Sequence, residues 1–178
     1  MTPIDRLGIG QFNALPEGDA RALLESCLAV PRWVDAVVDG RPYADAAALL
    51  TTADLHASQL SVAEVDAALA RHPRIGERAG KDHDADFSRR EQAGVVPADG
   101  PAREELVAAN REYEARFGRV FLIRAAGRSA VEILTELRRR LHNEPADEAT
   151  EVATQLREIA LLRLELLVGA DPGEAVAS

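Results

Sequence analysis

The chain has 178 residues, enough for one domain with a substantial apolar core. Hydrophobic residues make up 47% of it but aromatic residues only 4%, so the core is mostly Ala, Leu and Val, which favours helices packed on helices. The formal net charge of −9 argues against a nucleic-acid partner and against an anionic membrane surface, because both attract clustered Lys and Arg.

Three further features of composition bear on location. No apolar run approaches the roughly 20 residues that cross a bilayer. The opening MTPIDRLGIG lacks the basic and apolar regions of a signal peptide, and the lone Cys27 cannot form an internal disulfide. We therefore predict a cytoplasmic protein. A single cysteine also excludes zinc sites built from several cysteines.

Apolar residues recur every three to four positions along most of the chain, which predicts an all-α bundle of about eight helices in a single domain over residues 1–169. The predicted helices cover residues 20–30, 31–40, 43–54, 61–72, 101–117, 130–142 and 145–168, with a further one starting at Ser88. Residues 1–17 are predicted to dock without forming an element, and residues 170–178 to be a flexible tail.

Capping residues set several of these boundaries. Asp19 and Ser129 are predicted N-caps, and Ser61 with Glu64 fits a capping box. Pro31 suits the first turn of a helix.

Between the helices 101–117 and 130–142, the apolar run 120–123 is predicted to be buried extended chain, because no partner strand is apparent nearby. Gly118 is a suitable residue for the end of the preceding helix. Four residues of the following helix are predicted to face the core: Val131, Leu134, Leu137 and Leu141.

The polar stretch RHPRIGERAGKDHDADFSRREQAGV, residues 71–95, interrupts this helical pattern and is where we expect a site. His72 precedes Pro73, which disfavours helix at the histidine, so the imidazole is expected at a helix C-terminus, where the dipole favours its protonated form. Glu91 is a carboxylate that could orient the ring. The residues therefore indicate a cofactor-free acid–base site around His72 and Glu91.

Other interpretations of the same residues stay open. His72 could be a solvent-exposed helix end, and Ser88 with Glu91 could be a capping box. A metal-dependent hydrolase could use His72 with His83, although their spacing matches no two-ligands-on-one-turn pattern. A non-catalytic helical module that dimerises through its Ala and Leu faces is the third alternative.

Several segments, in order, resemble the signatures of the OHCU decarboxylase family, the 2-oxo-4-hydroxy-4-carboxy-5-ureidoimidazoline decarboxylases of urate breakdown. The segments are CLAVPRW at 27–33, RPY at 41–43, HPRIG at 72–76, SRREQAG at 88–94, NREYEARFG at 110–118 and IALLRL at 159–164. The resemblance runs from about Phe12 to Leu167.

The resemblance implies an all-helical, commonly homodimeric enzyme that acts on a small anionic ureidoimidazoline and uses neither metal nor organic cofactor. It implies that His72 is the catalytic proton donor and Glu91 its partner. The substrate-binding residues that it implies are Pro73, Ser88, Gln92, Phe121, Ile123 and Arg163.

Two positions need a separate comment. By composition alone Arg163 resembles Arg157 and would be interpreted as a surface arginine; only the resemblance makes it a substrate-binding residue. The chain departs from the family at Arg119-Val120, where Phe-Pro is frequent, and at Arg124, where Cys is common.

Overall fold

The predicted all-α fold is confirmed by the computed structural model, which describes residues 6–70 and 101–169, with side chains in the second range from 104 onward. Among these residues the helices and strands follow in chain order. They are β1 (Leu7–Gly8), α1 (Ile9–Ala14), α2 (Glu17–Cys27), α3 (Pro31–Asp39), α4 (Ala46–Ala57), α5 (Val62–Leu69), α6 (Pro101–Phe117), α7 (Ala130–Arg140), α8 (Pro145–Leu167) and β2 (Val168–Gly169).

Capping chemistry explains where several helices begin. Ser61 accepts from the backbone N–H of Glu64 at the start of α5, and Ser129 accepts from that of Glu132 at the start of α7. In both cases the glutamate reaches back to the N-cap backbone, so both are complete capping boxes. The predicted box at Ser61 and the predicted N-cap at Ser129 are therefore confirmed.

Two predicted starts are wrong by about one turn. Helix α2 begins at Glu17 after Pro16, so Asp19 lies in its first turn instead of capping it. Helix α4 begins at Ala46, and Asp45 caps it. Tyr43 lies outside that helix, and both its backbone N–H and its carbonyl bond the side chain of Asn13 instead.

The N-terminal prediction is also wrong, because residues before 17 form two elements. Helix α1 buries Ile9 and Phe12. Strand β1 pairs in parallel with β2, with Leu7 opposite Val168 and Gly8 opposite Gly169. Strands of two residues are too short for a period-two pattern to show in the sequence.

The described residues fall into two compact units, one formed by residues 6–60 with 157–169 and the other by residues 61–70 with 101–156. The boundary lies inside α8. We call these the first and the second unit. The single domain over 1–169 stays a prediction, and the tail 170–178 lies outside the described residues.

The core of the first unit contains Trp33, which is fully buried and donates from its indole N–H to the carbonyl of Ala53 at 2.9 Å. Asn13 and Tyr43 are joined by two hydrogen bonds between side chain and backbone, of 2.8 and 2.9 Å. Neutral donors bonded to carbonyl oxygens are therefore the polar contacts around Trp33 and Tyr43 in this apolar core.

The core of the second unit is an apolar cluster that joins α6, α7 and the segment between them. Its buried members are Leu106, Ala109, Tyr113, Phe121, Ile123, Ala125, Ile133, Leu134 and Leu137. The predicted inward position of Val131 is wrong, since this side chain is 71% exposed, and Ile133 takes the inward position instead. No helix in the described ranges is long and apolar enough to cross a membrane.

Candidate active site

The residues predicted to form the site divide into two groups. His72, Pro73, Ser88, Glu91 and Gln92 lie outside the described residues. Phe121, Ile123 and Arg163 lie within them, the first two in the second unit and the third in the first unit.

The metal alternative rests on His72 and His83, which are also outside the described ranges. Within residues 6–70 and 101–169 no three His, Cys, Asp or Glu side chains are grouped so that they could hold a metal ion.

Phe121 and Ile123 lie on a buried, non-helical segment between α6 and α7. Phe121, Leu122 and Ile123 are buried and Val120 is half-buried, and none of the four is helical, so the predicted burial is confirmed for three of the four residues. A glycine in the left-handed backbone region lies on each side of the segment. Gly118, with φ of 68°, follows the end of α6, and Gly127, with φ of 80°, precedes α7.

The side chains of Phe121 and Ile123 belong to the apolar cluster of the second unit. Their backbone groups form no hydrogen bond with any residue of the described ranges. Buried backbone N–H and C=O groups almost always have a partner in proteins. The arrangement therefore suits contact with a ligand through the backbone of this segment.

The carbonyl of Leu122, between these two residues, is held by Arg140 of α7. The guanidinium is 1% exposed, and its Nη1 donates to that carbonyl at 2.7 Å. It also lies over the ring of Phe121, 4.7 Å from the ring centroid. A cation over an aromatic face is attracted to the ring electrons, so Arg140 contacts the segment in two ways.

The remaining donors of Arg140 are directed to a buried carboxylate, that of Glu148. Nε and Nη2 both donate to its Oε1, at 2.9 and 2.5 Å, and Tyr113 Oη donates to the same oxygen. The other oxygen, Oε2, accepts from Asn143 at 2.8 Å. A buried ion pair is tolerated when hydrogen bonds satisfy both partners, and this one meets that condition.

Tyr113 is the neutral member of this cluster. Burial raises the pKa of its phenol well above the ordinary value, and the hydrogen bond to Glu148 raises it further. The phenol therefore stays protonated and remains a donor to the carboxylate across the physiological pH range.

A second side chain holds the segment two residues further on. Gln155 of α8 accepts through Oε1 from the backbone N–H of Arg124 at 2.9 Å. Side chains of α7 and α8 thus bond the carbonyl oxygen of Leu122 and the amide nitrogen of Arg124.

Arg163 lies on the part of α8 that belongs to the first unit, and it is 1% exposed. Arg157, six positions earlier, is a half-exposed partner of Asp54, with N–O distances of 2.5 and 2.7 Å. The interpretation of Arg163 as a surface arginine is therefore wrong, although it is correct for Arg157. A fully buried guanidinium is costly unless hydrogen bonds or an ion pair satisfy it.

Arg140, Glu148 and Gln155 are not among the site residues predicted from the sequence. The register of α7 could have indicated the first of these. Ile133, Leu137 and Arg140 are spaced four and three residues apart, so they share one helix face, and Arg140 extends the inward face by one turn. No local pattern marks Gln155.

A family model described as OHCU decarboxylase matches residues 13–165. This chain belongs to the OHCU decarboxylase family. The matched range includes all eight of the predicted site residues, both those that the structure describes and those outside it.

Curated relatives agree with this family. The chain is 32% identical over 152 residues to the 2-oxo-4-hydroxy-4-carboxy-5-ureidoimidazoline decarboxylase of Amia calva, covering 82% of this chain and 83% of the relative. It is 30% identical over 130 residues to the uric acid degradation bifunctional protein TTL of Arabidopsis thaliana, covering 71% of this chain. The matched part is only 40% of that bifunctional relative.

Solved structures agree in fold. A crystal structure of OHCU decarboxylase in the presence of (S)-allantoin superposes with a TM-score of 0.66 at 26% identity, covering 79% of this chain and 92% of the other. A crystal structure of (S)-allantoin synthase gives a TM-score of 0.68 at 14% identity, covering 91% of this chain and 54% of the other, and supports the fold alone.

Proposed function

We propose that this chain catalyses the decarboxylation of 2-oxo-4-hydroxy-4-carboxy-5-ureidoimidazoline to (S)-allantoin, the third step of urate degradation. The observation that carries this proposal is the match of the OHCU decarboxylase family over residues 13–165. The relative from Amia calva, which this chain covers over most of its length, bears the name of the same activity.

The chemistry asks for proton control and a fixed substrate geometry. The substrate carbon that bears the carboxylate also bears a hydroxyl. When its bond to the carboxylate breaks, the electron pair passes into the conjugated ring, so the proposed reaction needs no pyridoxal or thiamine group to accept it. A proton then has to be delivered to one face of the ring, which gives a single enantiomer.

In this proposal His72 is the proton donor, and Glu91 holds the imidazole in place and favours its protonated form. Pro73, Ser88 and Gln92 line the pocket. Arg163 binds substrate oxygens with its planar guanidinium; its burial supports this role, because a guanidinium shielded from water binds an anion more strongly.

Phe121 and Ile123 complete the proposed substrate contacts. Their side chains are packed in the apolar cluster of the second unit. We therefore assign the contacts mainly to their backbone groups, which have no hydrogen-bond partner in the described part of the chain.

Two further properties belong to the proposal. We expect the enzyme to be a homodimer, as the family resemblance implies, and to act in the cytoplasm. The single buried cysteine, Cys27, suits a reducing compartment. The charge of −9 disfavours association with nucleic acid.

The proposal is tested by generating the substrate in the cuvette from urate with urate oxidase and hydroxyisourate hydrolase, then adding this protein and recording ultraviolet circular dichroism. We expect rapid formation of optically active allantoin by the wild-type protein. We expect its loss in His72→Ala and in Glu91→Ala, with the far-ultraviolet spectrum of a helical protein unchanged.

His142→Ala is the matched control, because His142 is an exposed histidine beyond the end of α7. Its activity should equal that of the wild type. Full activity in His72→Ala would contradict the assigned proton donor, and unaccelerated formation of racemic allantoin by the wild type would contradict the proposed function itself.

A further inference from the structure

We infer that Arg140 and Gln155 are positioning residues for substrate binding, acting through the backbone on either side of Ile123. This inference rests on the proposed function, in which Ile123 and Phe121 contact the substrate. It adds two residues that do not touch the substrate but fix the direction of the groups that do.

The planarity of the peptide unit fixes the direction of the Ile123 N–H. A trans peptide unit is flat, with its C=O and N–H pointing in opposite directions. Because Arg140 Nη1 bonds the carbonyl of Leu122 at 2.7 Å, the N–H of Ile123 in the same peptide unit has to point away from Arg140.

The same reasoning applies to the next peptide unit. Gln155 Oε1 bonds the N–H of Arg124 at 2.9 Å, so the carbonyl of Ile123 has to point away from Gln155. Both polar backbone groups of Ile123 are therefore oriented by side chains that come from α7 and α8.

Arg140 and Gln155 differ in burial and in the number of hydrogen bonds that hold their side chains. Arg140 is fixed by Glu148 and Tyr113 and is fully buried, so its position is set by a complete hydrogen-bond network. Gln155 is half-buried, and its bond to Arg124 can be removed with little disturbance of the core. Gln155 is therefore the residue at which a positioning effect can be separated from a loss of stability.

The experiment compares Gln155→Met with Gln155→Glu. Methionine keeps the length of the side chain but cannot accept the bond from Arg124, whereas a glutamate oxygen still can. In Gln155→Met we expect the KM for substrate and the Kd for (S)-allantoin to rise about tenfold while kcat changes less than about twofold, because misplaced binding groups weaken binding. Gln155→Glu should restore values near those of the wild type.

Thr154→Ala is the control on the same helix, because among the described residues the Thr154 hydroxyl bonds within α8, to the carbonyl of Thr150 at 2.9 Å. A purely structural effect of Gln155→Met would lower the melting temperature and the active fraction without moving KM or Kd. That result, with both constants equal to those of Thr154→Ala, would overturn the inference.

Arg140→Lys is the second test. Lysine keeps the positive charge beside Glu148, but its single nitrogen cannot serve the carboxylate and the Leu122 carbonyl as the guanidinium fork does. We expect a larger rise in KM and in the Kd for (S)-allantoin than for Gln155→Met. Unchanged constants in a folded Arg140→Lys protein would remove Arg140 from the assignment.

The failure of this inference is distinguishable from that of the proposed function. A wild-type protein that neither accelerates allantoin formation nor binds (S)-allantoin would contradict both. An active wild type whose KM and Kd are unaffected by Gln155→Met would overturn the positioning roles and leave the decarboxylase activity in place.

Discussion

The buried polar contacts around Trp33 in the first unit and around Arg140 in the second unit differ in their chemistry. Around Trp33 in the first unit, neutral N–H and O–H groups donate to backbone carbonyls at 2.7 to 2.9 Å. In the second unit the side chains of Arg140 and Glu148, both 1% exposed, are bonded to each other beside Tyr113 and Phe121 of the apolar cluster.

This difference indicates which substitutions of buried polar residues each unit tolerates. A neutral hydrogen bond contributes about 1 kcal/mol net, and its loss costs the desolvation of one group. A buried ion pair contributes little net stability, but removing one partner leaves an uncompensated charge. The second unit therefore depends on Arg140 and Glu148 being present together, and the same pair fixes the segment that carries Phe121 and Ile123.

The largest expected effect is that of Arg140→Met. Among the described residues it leaves the buried Glu148 carboxylate with Tyr113 and Asn143 as donors, so we expect the free energy of unfolding to fall by about 3–5 kcal/mol, measured by urea denaturation. The double variant Arg140→Met/Glu148→Leu should recover much of this loss, because it replaces the pair with apolar side chains. Equal stability of the single and double variants would show that the charge is not the cause.

A smaller effect is expected in the first unit for Trp33→Phe. This change leaves a small cavity and removes the donor to the carbonyl of Ala53, so we expect a loss of about 2 kcal/mol. Leu55→Ala serves as the control, since Leu55 is an exposed apolar residue of the neighbouring α4 and its truncation should cost less than about 0.5 kcal/mol. If both variants lost the same amount, the indole would not be the anchor of this core.

The smallest effect is expected at the start of α7, for Ser129→Ala. Loss of the N-cap should cost about 1 kcal/mol at neutral pH, measured by thermal unfolding. Hydrogen bonds from the backbone N–H and then the hydroxyl of Ser129 lower the pKa of Glu132 below its ordinary value of 4.5.

The lowered pKa of Glu132 determines how the effect of Ser129→Ala on stability depends on pH. A carboxylate whose pKa is lowered on folding contributes stability above its unfolded pKa, and this contribution is lost as the pH falls through the folded value. Ser129→Ala keeps the backbone N–H and removes only the hydroxyl, so the part of the stability difference that comes from the hydroxyl–carboxylate bond should be full at pH 7 and shrink below about pH 4.5. A difference that grows on acidification would contradict the capping box.

Helix positions could be predicted where a local residue decides them. Pro31, Ser61, Ser129 and Gly118 each act within one turn of the chain, and each is where the sequence indicates. The start of α4 could not be predicted, because Tyr43 is withheld from that helix by contacts with residues far away in sequence, such as Asn13. Propensity gives way to tertiary packing at such positions.

The candidate site was predictable to a different degree. The roles of His72, Glu91 and the pocket residues around them stay predictions. The burial of Arg163 could not be read from composition, because a single arginine on an amphipathic helix faces in or out according to the fold around it. Gln155 was missed because its bond to a backbone amide 31 positions away produces no periodic pattern in the sequence.

The two left-handed glycines that border the segment have a consequence for the handedness of the chain. A Cβ atom added at Gly118 or at Gly127 would meet no atom within 4 Å, so volume does not reserve either position for glycine. The constraint is chirality: an L-residue is strained at positive φ, whereas its mirror image prefers that region. At both ends of the segment the chain has glycine, the one genetically encoded residue whose Cα is achiral.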